Sequence, residues 1–287
     1  MKLDVALKLG RVSNLPTVIT NVIAAVALSG ARPPIVALAV ICVGISLLYI
    51  AGMFLNDAFD RTIDAIERPE RPIPSGQVSA AEVFGAGFAL LAFGVLTIAG
   101  VAFTVGGGVL ALASAVVLAS LIVFYDMRHK TNPLAPLVMG LCRVGAYTTA
   151  ALAAGGPLCH GLLIGCGLLL AYLLGLSAIA RRENKPGGSK LAVLAPVTFM
   201  LVPFVVLQPM GQGPWVFAIY LMFFGWTARC IKLVLSGQMR PAVSGLIAGI
   251  SLLDAMFVIR SDQLPLAGAC CAAFLLTTIL QRRIAGT

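Results

Sequence analysis

A chain of 287 residues that is 60% hydrophobic and 11% charged, with a mean hydropathy of +1.01, lies far from soluble domains, which carry roughly 25% charged residues. Composition therefore points to a polytopic membrane protein. The net charge of +9 is scattered over short loops with no interleaved aromatic residues, so it reads as topology and contact with anionic lipid headgroups, not nucleic-acid binding.

The amino-terminal stretch MKLDVALKLGRVSN is polar and basic and shows no small-residue cleavage site, so no cleaved signal peptide is expected. Apolar runs follow at 14–30, 34–55, 80–100, 104–125, 134–154, 158–179, 191–208, 213–235, 241–259 and 264–281. Most reach the ~20 residues a helical span needs, and the last two are the weakest as separate spans. Lys2, Lys8 and Arg11 place the amino terminus in the cytoplasm by the positive-inside rule. Counting forward, the loops at 56–79, 126–133 and 181–190 and the segment near Arg229, Lys232 and Arg240 fall on the same side. The opposite loops hold little beyond Arg32 and Arg260, and with ten spans Arg282 and Arg283 return to the cytoplasm.

In the first span Asn14 and Asn21 are seven residues apart and share a face. The second span runs into NDAFDRTIDAIERPERPIPSG, which gathers almost half of the chain's eleven acidic residues. On a helix continuing from that span, Asn56, Asp60, Asp64 and Glu67 fall on one narrow face with Asp57 at its edge, until Pro69, Pro72 and Pro74 end it. Like charges at this spacing repel, so solvent cations, the neighbouring arginines or a bound divalent metal must offset them. Asp and Asn oxygens are the ligands Mg²⁺ takes, usually with waters and substrate phosphates completing the octahedron. A solvated charged loop is the plainer alternative.

The segment NDAFDRTID resembles the NDxxDxxxD signature of the UbiA family of intramembrane prenyltransferases, and RPERPIPSG resembles the arginine-containing tail that follows it. The resemblance covers the chain at the level of topology. It implies an all-α bundle in one domain, residues 1–287, with nine spans, or ten by charge counting, around a central cavity. It further implies Mg²⁺ and an isoprenyl diphosphate held beneath cytoplasmic caps. Asn56, Asp60 and Asp64 then become catalytic and metal-site residues, with Asp57 as a further metal ligand. Arg68 and Arg71 become contacts for the diphosphate, and a polar residue such as Asn14 belongs near its end.

After the fourth span, YDMRHKTNP places Tyr125 and Lys130 where the family carries a tyrosine and a lysine, with Arg128 close by. His129 and His160 are far apart and read as loop residues. Arg143 falls well inside the fifth span, where a charge is costly and faces a cavity or a partner. A bound diphosphate, Asp126 and Asp254 are the candidate partners.

After the sixth span most of the family carries a second Asp-rich motif, but this chain has SAIARRENKPGGSK, with Glu183 among Arg181, Arg182, Lys185 and Lys190. With GLCR in the fifth span, ARRE resembles a divergent branch of the family that includes EboC-like proteins. Arg181, Arg182 and Lys185 are suited to neutralise a leaving diphosphate where relatives use a second metal, with Glu183 positioning a ligand. The seven cysteines show no metal spacing and read as small buried apolar residues.

The expected function is Mg²⁺-dependent transfer of an isoprenyl group to an unidentified acceptor within the bilayer, on the cytoplasmic side of a bacterial inner membrane. The alternative is a non-catalytic isoprenoid-diphosphate binder or transporter that keeps only the first Asp-rich motif.

Overall fold

The computed structural model describes residues 1–181, 191–210 and 212–284. Two short helices lie outside the spans, α1 (Leu3–Leu9) near the amino terminus and α4 (Arg61–Glu67) in the acidic stretch. Among the described residues the ten longer helices are α2 (Leu15–Ser29), α3 (Ile35–Phe59), α5 (Ala80–Val105), α6 (Gly108–Arg128), α7 (Ala135–Ala153), α8 (His160–Ala180), α9 (Leu191–Val206), α10 (Pro214–Leu235), α11 (Met239–Ile259) and α12 (Leu264–Leu280). Each coincides with one of the ten apolar runs. The described residues form no strand, as expected where lipid leaves backbone groups no partner outside their own helix.

Among the described residues eight helices are long and apolar enough to cross a membrane; the segment Pro196–Val206 of α9 and helix α12 are apolar but shorter. The run at 241–259, weak as a separate span in the sequence, is a full-length helix and the most enclosed of the eight, with 89% of its apolar window buried. Helices α5, α6 and α10 have only 22% of theirs buried, so their apolar surfaces face lipid.

Local signals explain where the helices begin and end. Ser79 caps α5 by accepting a hydrogen bond from the Glu82 amide at 3.2 Å, the first half of a capping box. Gly106 takes a left-handed conformation (φ 105°) that ends the same helix. Helix α5 packs along α3 through glycines: a Cβ added at Gly94 would stand 2.8 Å from the Leu48 side chain and 3.1 Å from the Gly44 carbonyl oxygen. Such close approach of backbones is how membrane helices gain packing energy without a hydrophobic driving force.

Sequential neighbours close a ring from α2 through α12 and back to α2, while α2 also meets α7, α8 and α11 inside it. Because directions alternate, the starts of α2, α5 and α7 and the ends of α3, α6 and α8 share one end of the bundle. The end of α12 lies there too, since Gln281 Nε2 donates to Asn14 Oδ1 at 3.0 Å. Helix α1 packs on this end through Val5 and Leu9, against Phe54, Ala58, Val78 and Val83.

Candidate active site

Helix α3 breaks for one residue at Asp60 and resumes as α4, yet hydrogen bonding runs through the break. The Asp60 amide donates to the Asn56 carbonyl at 2.9 Å, and that of Asp64 to the Asp60 carbonyl at 2.8 Å. Near-helical geometry thus keeps Asn56, Asp60, Asp64 and Glu67 on one side, where all four line a single cavity. Asp57 is buried but does not line that cavity.

The cavity has a volume of about 830 Å³. Its mouth is formed by α3, α4, the turn after α4, the α6–α7 connection and the end of α8. Arg11, Asn14, Arg68, Arg71, Tyr125, Lys130 and Arg181 reach it there. Its interior is walled by Val18, Ile45, Leu48, Leu118, Ile122, Leu173, Leu176, Val243, Ile247 and Ile250. Arg143 and Tyr49 line it between these zones. Arg182 and Glu183 lie outside the described residues.

Asp57, Asp60 and Asp64 each face a cation. Arg71 bridges Asp64 at 2.6 Å and Asp57 at 3.2 Å, and Arg11 reaches Asp57 at 3.1 Å. Asp60 Oδ2 lies 3.2 Å from His129 Nε2 and 3.6 Å from Lys130 Nζ. Burial opposes ionisation of Asp60, but the hydrogen bond from His129 and the charges of His129, Lys130 and Arg71 outweigh it, holding this carboxyl below its ordinary value. The His129 ring also stacks on Tyr125, centroids 5.0 Å apart.

Three residues here escaped the sequence reading. His129, read as a loop residue, is a direct partner of Asp60. Arg11, read only as a topology signal, is held against Asp57 by a left-handed backbone (φ 42°) that non-glycine residues seldom adopt. Asp126, considered as a partner for Arg143, instead accepts from Asn56 Nδ2 at 3.2 Å, and its other carboxylate oxygen is buried with no hydrogen-bond partner. Arg61, laced among the acids in sequence, turns away to the Ala58 carbonyl at 2.9 Å and to the Phe84 ring.

Arg143 pairs with neither acid directly. Its Nη1 donates to Asn21 Oδ1 at 2.6 Å and its Nη2 to Thr17 Oγ1 at 3.3 Å. Asn21 Nδ2 in turn donates to Asp254 Oδ2 at 2.8 Å, which also accepts from Thr20 at 2.5 Å, while Tyr147 donates to Oδ1. Asp254 is fully buried. The two charges are thus joined through an amide across α2, α7 and α11.

Among the described residues no three His, Cys, Asp or Glu side chains converge to form a metal cage. The donors at the mouth are nevertheless the hard oxygen ligands of Asn56, Asp60 and Asp64, with the orphaned oxygen of Asp126 behind them. This set fits an ion such as Mg²⁺ that takes one or two carboxylates and completes its shell with water and substrate phosphate.

Fold and site together define an integral membrane protein whose cavity is charged at its mouth and apolar in its interior. The sequence matches the UbiA prenyltransferase family over residues 15–240, and the chain belongs to that family. It is similar to the digeranylgeranylglyceryl phosphate synthase of Methanosarcina mazei, 36% identical over 135 residues, which are 46% of this chain and 42% of the relative. With that of Methanopyrus kandleri it shares 34% identity over 149 residues, 49% of each chain. The chain thus spans about half the length of these relatives, or less. Its fold is similar to a solved UbiA homologue from Aeropyrum pernix K1 (TM-score 0.67, 17% identity, covering 86% of this chain and 97% of that one). It is also similar to a solved structure described as a digeranylgeranylglyceryl phosphate synthase (TM-score 0.60, 20% identity, covering 94% and 99%). At these identities the structural likeness is one of fold.

Proposed function

We propose that this protein transfers an isoprenyl group from an isoprenyl diphosphate to an acceptor bound in the same cavity. The observation that carries this reading is the cavity's polarity: Asp60, Asp64, Arg68, Arg71 and Lys130 at one end, and aliphatic walls from five helices beyond them. A diphosphate with a long hydrocarbon tail matches both zones, whereas a small polar substrate would leave the interior unused.

Asn56, Asp60 and Asp64 would hold Mg²⁺, with Asp57 behind them as a residue that fixes Arg11 and Arg71 and not as a direct ligand. When bound, Mg²⁺ supplies charge stabilisation for the diphosphate. Arg68, Arg71, Lys130 and Arg181 reach the same space, and guanidinium groups match phosphate oxygens through their planar forks. As the allylic C–O bond breaks, its electron pair leaves on the diphosphate oxygen, where these cations meet the developing charge. The acceptor's nucleophile then bonds the allylic carbon, and the proton it sheds passes to the diphosphate or to water at the mouth. The apolar walls keep water from the cation meanwhile. The end of the bundle holding the mouth also carries most of the basic residues, which supports a cytoplasmic-facing site. The relatives named above are archaeal, so the membrane is taken as a prokaryotic plasma membrane.

The test is binding of a non-hydrolysable isoprenyl diphosphate to the purified protein with and without Mg²⁺, alongside Asp60→Ala and Asp64→Ala, followed by an acceptor screen for prenylated product. Metal-dependent binding lost in both variants supports the reading. Binding indifferent to Mg²⁺ and to both substitutions would overturn the metal site, and tight binding with no product from any acceptor class would leave the non-catalytic binder.

A further inference from the structure

Of the buried carboxylates at the mouth, Asp126 is the one without an ion pair among the described residues. It lies two residues before the end of α6, is 3% exposed and lines the cavity. The cation whose charge reaches it, Arg11, is bonded to Asp57 instead. Asp126 Oδ1 accepts from Asn56 Nδ2 at 3.2 Å, and Oδ2 is enclosed with no hydrogen-bond partner among the described residues. An unpaired carboxylate oxygen at this burial costs more than an ordinary hydrogen bond returns, and a donor that arrives with a ligand would offset that cost.

The Asn56 contact carries a second consequence. An ionised carboxylate only accepts, so the amide branch facing Asp126 is the nitrogen, and Asn56 Oδ1 is left on the branch that a metal can use. Without this partner the amide could present either atom, and an N–H₂ group turned toward a cation is repelled. The residue after α6 reaches the same ligands again: one His129 ring nitrogen lies 3.3 Å from the Asp126 carbonyl oxygen and the other 3.2 Å from Asp60 Oδ2. The end of α6 therefore stands behind two of the three oxygen donors. Direct coordination by Asp126 fits less well, because no three His, Cys, Asp or Glu side chains converge among the described residues. Mg²⁺ also keeps several waters where few carboxylates reach it.

We infer that Asp126 is a positioning residue of the metal site, one layer behind its ligands. Its Oδ1 holds the Asn56 amide with the oxygen toward the ion, and its Oδ2 accepts a hydrogen bond from a water in the ion's coordination shell. This rests on the reading that Asn56, Asp60 and Asp64 hold Mg²⁺, and on nothing about the prenyl donor or its acceptor. Groups that orient a metal's ligands in this way are typically worth about 10- to 100-fold in metal affinity. The metal-free protein bears the burial of the unpaired oxygen, so Asp126 favours the metal at the expense of the empty fold.

The experiment is a titration of the full chain, in nanodiscs of zwitterionic lipid, with Mn²⁺ as the stand-in for Mg²⁺. Free Mn²⁺ is read by electron paramagnetic resonance, first with metal alone and then with a non-hydrolysable isoprenyl diphosphate. Asp126→Ala should weaken Mn²⁺ binding at least about tenfold, but by less than Asp60→Ala does. Its metal-free melting temperature should equal or exceed that of wild type. Asp126→Asn, which keeps the volume without the charge, should lose affinity in the same direction. Combined with Asn56→Ala, the Asp126→Ala loss should fall short of the product of the two single losses, since the two residues act on one ion as a unit. Wild-type affinity in both Asp126 variants would overturn the proposal. So would losses that multiply in the double variant, as independent charges do, or a metal-free melting temperature that falls in step with affinity, which would make Asp126 a residue of the fold alone. A loss as large as that in Asp60→Ala would make it a direct ligand and overturn the positioning role. Mn²⁺ uptake that depends on Asp126, from a protein that never binds the diphosphate analogue, would sink the prenyl-transfer reading and leave this metal site standing. No Mn²⁺ uptake with or without the analogue would overturn both.

Discussion

Two sets of buried carboxylates in this protein, Asp57, Asp60 and Asp64 at the mouth and Asp254 in the interior, are satisfied in different ways. At the mouth, Asp57, Asp60 and Asp64 meet Arg11, Arg71, His129 and Lys130, charged or chargeable groups on loops and helix ends whose side chains retain some exposure. In the interior, Asp254 on α11 meets Thr20, Asn21 and Tyr147, neutral donors on the two helices α2 and α7. Ion pairs near water exchange cheaply for other ions, whereas a fully enclosed carboxylate saturated by hydrogen bonds cannot release its partners without leaving them unpaired. On the proposed function, the mouth would trade protein cations for metal and phosphate, while the interior keeps one arginine still.

The largest effect that would break this contrast belongs to the interior. Asp254→Ala removes the common acceptor of three donors and the counter-charge of Arg143, and should destabilise the protein by about 3–5 kcal/mol. Asp254→Asn, which keeps the shape, should cost about 1–3 kcal/mol. Thermal unfolding in detergent measures both. An Asp254→Ala protein as stable as wild type would show that the relay holds nothing in place.

At the mouth the balance should reverse, with function lost and stability largely kept. Asp60→Ala and Asp64→Ala should each lower stability by no more than about 2 kcal/mol. Each should weaken Mg²⁺-dependent binding of the diphosphate analogue about 100-fold or more, in line with the loss of charge-stabilising groups. Asp57→Ala sharpens the comparison within the mouth. Because Asp57 acts on the cavity only through Arg11 and Arg71, its loss should cost nearer tenfold, an effect the size of one lost charge-assisted contact. Equal losses in all three variants would place Asp57 among the metal ligands after all.

Helical periodicity made part of this legible before any coordinates. The steps from Asn56 to Asp60 to Asp64 put three oxygen-bearing side chains on one face, and the face survives the one-residue break at Asp60 because the hydrogen bonds continue through it. All ten apolar runs became helices for the same local reason. What stayed hidden depends on contacts distant in sequence. Arg11 meets Asp57 across 46 positions, Asn56 meets Asp126 across 70, and Tyr147 meets Asp254 across 107. No local pattern announces such pairs. The asparagine at 21 was legible as a polar residue on an apolar helix, but its role between Arg143 and Asp254 needed α2, α7 and α11 side by side.

The smallest effect is the one that tests the electrostatics of the mouth directly. Asp60 lies just beyond the span of α3, and although burial raises its pKa, His129, Lys130 and Arg71 together hold it below the ordinary value. A carboxyl depressed in the folded state binds protons more readily when the chain unfolds. Its stabilising contribution is therefore complete above the unfolded value of about 4, and is lost as the pH falls through the lower folded value. The stability difference between wild type and Asp60→Asn should accordingly be level above about pH 5 and shrink on acidification below about pH 4. Unfolding scans across that range measure it. A difference that stays level throughout would mean that the cations do not stabilise the charged form of Asp60, and the mouth would then have no bound charge to exchange for metal. A difference that grows on acidification would mean that burial dominates, making Asp60 resemble the enclosed interior more than the exchangeable mouth.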